Sequence, residues 1–146
     1  MPKKRPYLER GTLERATANL RKTTGLFEKR EYAMTVVRAA TVVELYLDGI
    51  LQDRLSRIFQ NPRLVGAILR SLSPEEKYSG LMKELCGFTL TEVCRDETKD
   101  LPAIRRERND IVHRRTFSKK VTAERAMDVA VSIVRKVNRG LKKRRG

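Results

Sequence analysis

The sequence predicts an all-α protein, an up-down antiparallel bundle of four main helices with short helices between them. Three observations predict it. Apolar residues recur at three- and four-residue steps, most clearly at Val36, Ala40, Val43, Leu47, Ile50, Leu51, Leu55 and Ile58. Sustained period-two alternation occurs nowhere. Aromatics make up 5% of the chain, tryptophan is absent, and there are only 8 Gly and 5 Pro, which disfavours a sandwich or barrel.

Each element carries its own signal. A first helix is expected over 12–28, with Thr12 as N-cap; Gly25 costs it about 1 kcal/mol against Ala and leaves its end open. The strongest helix covers 31–59 and stops at Asn61-Pro62, because the residue before proline is pushed out of helical geometry. Pro62 opens a short helix through Arg70. Ser73-Pro74-Glu75-Glu76 is a start signal, with Ser as N-cap, Pro at the first helical position and Glu at the third. That helix runs to about Leu85 and Gly87 closes it. Thr89-Leu90-Thr91-Glu92 repeats the capping pattern before another short helix. Asp100-Leu101-Pro102 is read as the start of the next helix. Thr122-Ala123-Glu124 opens a terminal helix whose stripe is Ala126, Val129, Ala130, Ile133, Val137 and Leu141. The organisation expected is a basic flexible arm (1–11), one helical domain (12–141) and a basic tail (142–146).

Length and composition fit one domain with a core of its own: 146 residues, 40% hydrophobic and 35% charged. The net charge is +15. Eight Lys/Arg near the ends (Lys3, Lys4, Arg5, Arg10, Lys142, Lys143, Arg144, Arg145) stand against Glu9 alone, which leaves +8 for the rest of the chain. A positive field of that breadth points to nucleic acid rather than to an anionic membrane surface. Met1–Arg10 has no apolar run and no stretch reaches the length of a membrane span, so neither signal peptide nor anchor is expected and the cytoplasm is the expected location. Cys86 and Cys94 lack companions for a zinc site or a disulfide framework and read as small packing residues; no metal and no cofactor is expected.

The chemistry concentrates in Arg108-Asn109-Asp110-Ile111-Val112-His113, which holds the only histidine of the chain. Histidine is the side chain whose unperturbed pKa lies near neutrality. On an ideal helix Ile104, Ile111 and Val112 form an apolar stripe, and Arg108 falls within it. A guanidinium there needs a carboxylate, an interface or an anionic ligand. Asn109 and His113 are four apart and share another face, about 140° from Arg108 in the case of His113. Arg105, Arg106, Arg114, Arg115, Lys119 and Lys120 surround the segment and suit a polyanion. Metal-free cleavage of an RNA phosphodiester needs a base for the 2′-hydroxyl, an acid for the leaving 5′-oxygen and a cation at phosphorus. One histidine supplies one proton shuttle; two copies in a symmetric dimer supply two.

Arg108, Asn109 and His113, with four residues between the arginine and the histidine, resemble the motif of the HEPN (higher eukaryotes and prokaryotes nucleotide-binding) superfamily. The layout around them is similar as well. A long apolar helix with an internal acid precedes the motif (Glu44 in Val42-Val43-Glu44-Leu45), and a last amphipathic helix opening at Val121–Glu124 comes after it. The likeness covers most of residues 12–140 and is nearest to small single-domain prokaryotic proteins of the RiboL-PSP-HEPN-like kind. It implies a helical homodimer with two Arg/His motifs facing across a cleft, and metal-independent endoribonuclease activity in toxin–antitoxin, phage-defence or RNA-processing systems. It further implies that Arg108 binds the scissile phosphate, that His113 is the acid/base group, and that Asn109 orients one or the other. Glu44 would pair with Arg108, or else stand as a solvent-facing acid beside another Lys or Arg; Asp110 is a further candidate for supporting the site. Arg114 departs from the pattern, since a small residue frequently comes directly after the histidine; it adds a phosphate contact or marks a site tuned for binding. Some relatives of this kind are not nucleases. A non-catalytic RNA- or nucleotide-binding module, or a protein-interaction subunit partnered by an antitoxin or a separate nucleotidyltransferase, is the alternative reading.

Overall fold

The computed structural model describes residues 11–114 and 116–144, and all their regular structure is helical. Residues 1–10 of the expected basic arm, Arg115 and the last two residues of the expected tail lie outside the described residues.

Helix α1 (Thr12–Glu28) and α2 (Tyr32–Ile58) form the first hairpin. Gly11, not Thr12, is the N-cap of α1; the Thr12 hydroxyl instead donates to Asp53 on α2 at 2.9 Å. The two helices touch closely there. A Cβ added to Gly49 would stand 2.7 Å from Thr12 Cγ2, so only glycine lets the first turn of α1 lie against α2. Helix α1 passes through Gly25 and is ended by Arg30, which takes the left-handed conformation (φ +62°). Arg30 N–H donates to Phe27 O and Glu31 N–H to Leu26 O, each at 3.0 Å, the paired bonds of a Schellman turn.

Helix α2 is the hub of the bundle. It packs on α1, α6 and α7. Seven of its eight expected core residues are buried, with Leu47 and Leu51 fully enclosed; Ile58, at the last turn, is exposed. Asn61 then caps α3 (Pro62–Ser71), its side chain accepting from Arg63 N–H at 3.1 Å and Leu64 N–H at 3.2 Å. The Ser73 box forms as its residues dictate: Glu76 N–H donates to Ser73 Oγ at 3.1 Å, and Ser73 N–H to Glu76 Oε1 at 3.0 Å. The chain beyond this box is not a plain α-helix. Glu76–Leu81 is π-helical and runs into α4 (Met82–Cys86), which Gly87 closes at φ +85°. Thr89 caps the single turn of α5 (Leu90–Val93).

Helix α6 (Arg95–Arg114) corrects the expectation that Pro102 opens it; Pro102 lies inside. An interior proline removes a backbone bond and costs about 3 kcal/mol. Contacts made one turn earlier offset that cost. Asp96 and Glu97 favour the helix dipole in the first turn. Glu97 also accepts from Ser132 Oγ at 2.8 Å and from Lys136 Nζ, both on α7. Helix α7 (Lys120–Lys143) begins two residues before Thr122, and all six residues of its expected stripe are buried. Lys142 and Lys143, expected in a tail, belong to this helix. Cys86 and Cys94 are buried free thiols; burial pushes Cys94 up to about 12 and raises Cys86 as well, so both act as apolar filling. Among the described residues no helix is long and apolar enough to cross a membrane.

Candidate functional site

Helix α6 carries two adjoining faces. Glu97, Ile104 and Ile111 point into the bundle and are buried. Next to them runs a stripe at heptad spacing: Thr98, Leu101, Pro102, Arg105, Arg108, Asn109, Val112. Tyr78 of the π-helical segment and Leu90 of α5 partly cover the first half of this stripe, where Pro102 stays exposed. In the second half no described residue covers Asn109 or Val112. Asn109 is exposed and Val112 is 58% exposed, which corrects its expected place in the core. His113 lies beside Asn109, on the solvent side, and is exposed.

Arg108 stands where the two faces meet. Its Nη1 donates to Glu44 Oε1 of α2 at 2.8 Å, with side-chain exposures of 22% and 35%. An arginine on the apolar edge of α6 is therefore held by an acid on the neighbouring helix rather than left bare. Only one of its five N–H donors is placed on that carboxylate by this bond, so others remain for a ligand.

One turn along α2 a second acid repeats the arrangement. Asp48 accepts from Tyr78 OH at 2.9 Å and from Lys77 Nζ at 3.1 Å. Burial, and then the Asp48 charge, push the Tyr78 hydroxyl well above the ordinary phenol range, so it stays protonated as a donor. The Arg105 guanidinium lies 5.8 Å from the centre of the Tyr78 ring, a cation–π contact. Sequence reasoning missed the Asp48–Tyr78–Lys77 cluster. Its signal was present in Glu44 and Asp48, two acids four apart on one side of an apolar helix.

The remaining expected residues divide clearly. Arg106, Asp110, Arg114, Lys119 and Lys120 are exposed, whereas Arg105 is half-buried. Phe117 is 96% exposed between Arg114 and the two lysines. The loop that carries it is tied to α6 through Ser118 Oγ, which donates to Glu107 at 2.8 Å. No group of three metal-ligating side chains occurs among the described residues. No family model, curated protein or solved structure matches the chain.

Proposed function

We propose that this chain is a metal-independent endoribonuclease of the HEPN type, acting as a homodimer on RNA. The observation that carries the reading is Arg108 held by Glu44 at the margin of an uncovered face that also presents Asn109 and His113. The pair fixes the guanidinium at the surface in one position, and its free donors suit the charge that develops on phosphorus. His113 would exchange protons with the 2′-hydroxyl or the 5′-leaving oxygen. About 140° separates it from Arg108 on one helix, so a second copy docked over Val112 would supply the other proton shuttle. Phe117 offers a base-stacking surface among cations, in keeping with an RNA substrate. Asn109 would orient His113 or the phosphate. Toxin–antitoxin, phage-defence and RNA-processing roles all accommodate such an activity.

One observation favours the non-catalytic alternative: Glu44 already balances the charge of Arg108. In that case the chain binds RNA, a nucleotide or a protein partner without cutting. Incubation of wild type and His113→Ala with total RNA in EDTA separates the two. Cleavage by wild type alone, leaving 2′,3′-cyclic phosphate ends, supports the nuclease. RNA retarded equally by both proteins, with no cleavage, supports the binding module.

A further inference from the structure

The covered half of the α6 stripe is not sealed. Between the π-helical segment and α6 lies a cavity of about 370 Å³, within the range of small-molecule sites. Its apolar walls are Pro74, Leu90, Leu101 and Pro102. Its polar lining is unbalanced in a way that describes a ligand. Arg105 lines it with a half-buried side chain; among the described residues its Nη2 has no hydrogen-bond partner and is closed off from solvent, so a ligand in the cavity reaches it by a turn of the guanidinium. A buried donor of that kind calls for an acceptor. Thr91 adds a hydroxyl that can donate or accept, and the other polar walls accept. Ser79 and Thr98 hydroxyls already donate to the carbonyls of Glu75 and Cys94, which leaves them their lone pairs. Pro102 has no N–H for the Thr98 carbonyl one turn back. Glu75, an exposed acid, also lines the cavity.

We propose that this cavity is a nucleobase pocket that prefers guanine. The inference rests on the RNA reading and gives Arg105 a base to recognise rather than a phosphate. Guanine presents N7 and O6 together as acceptors for a guanidinium and carries an amino donor besides. That amino group meets the carboxylate of Glu75. The apolar residues take the flat faces of the ring. Tyr78, anchored through Asp48, holds the guanidinium in place from below. Arg105 lies one turn of α6 before Arg108, so an RNA strand running along this helix meets both in succession.

The test is an amide NMR titration of wild type, Arg105→Gln and Glu75→Gln with each of the four nucleoside 5′-monophosphates. The guanine nucleotide is expected to shift residues 74–79, 90–91 and 98–105 and to bind about tenfold tighter than the other three. Arg105→Gln should lose that binding about tenfold. Glu75→Gln, at an exposed position that leaves the fold intact, should bring guanine and adenine within about threefold of each other. Equal response to all four nucleotides, shifts elsewhere, or variants that behave as wild type overturn the inference. Gel retardation with mixed-sequence RNA separates its failure from that of the broader reading. RNA retarded while the cavity ignores the guanine nucleotide overturns the pocket alone. Guanine nucleotide bound there while RNA is not retarded assigns the pocket to a free nucleotide and overturns the RNA reading.

Discussion

Arg108 Nη1 and Glu44 Oε1 meet at 2.8 Å across 64 residues of sequence, joining α6 to α2 at the border between core and solvent. Both side chains keep part of their exposure, so water screens the attraction and the pair adds little to stability. A double-mutant cycle with Glu44→Ala and Arg108→Ala, read by urea denaturation, is expected to give a coupling of about 0.5–1 kcal/mol. The larger effect falls on binding. Glu44→Gln frees the guanidinium and removes a negative charge, so RNA retardation should tighten severalfold while the fold stays intact.

His113 is exposed and no packing depends on it. His113→Ala should leave thermal stability within about 0.5 kcal/mol of wild type. Cleavage of RNA in EDTA should fall by about a hundredfold or more, the usual contribution of a positioned acid or base. Cleavage unchanged in the folded variant would remove His113 from the chemistry.

Val112 is an apolar side chain left open at the end of the α6 stripe. In the homodimer reading a second copy covers it. Val112→Glu should then convert a dimer into a folded monomer in light scattering after gel filtration, and activity should vanish with the dimer. A monomeric wild type would sink this arrangement.

Arg30 ends α1 in a conformation that L side chains adopt at a cost. Glycine carries no such penalty at that position of a Schellman turn, but it also loosens the unfolded chain. Arg30→Gly should raise stability by about 0.5–1 kcal/mol, measured by thermal or urea unfolding.

Glu97 is the buried acid of the α6–α7 contact. Burial opposes its charge, but the Lys136 ammonium, backbone N–H and Ser132 hydroxyl outweigh that and hold the carboxyl below the ordinary range. The unfolded chain therefore binds its proton more tightly than the native state does, and stability rises with pH through this window. The contribution is complete above the usual carboxylate pKa and is lost as pH falls through the native value. Urea midpoints taken from pH 7 down to pH 3 should drop more steeply for wild type than for Glu97→Gln.

The helical class and much of its punctuation were legible in the residues alone. Asn61-Pro62, the Ser73–Glu76 box and Thr89–Glu92 close hydrogen bonds within four residues, so their chemistry needs no partner from elsewhere. The stripes of α2 and α7 were equally plain, because a period of three to four residues selects the buried face by itself. Arg108 also declared itself, as a cation on an apolar stripe that required a counterpart. Which counterpart it takes was settled only where α2 lies against α6. The start of α6 ahead of Pro102 depends on Ser132 and Lys136, more than thirty residues later. Val112 keeps the apolar period of α6 and is nonetheless exposed, because the packing of the other helices on α6 does not reach it. The cavity beside Arg105 is lined by Tyr78, which Asp48 anchors from thirty residues before it. Local hydrogen bonding and periodicity determine the elements; contacts between residues far apart in the chain decide which side chains are paired, covered or left for a ligand.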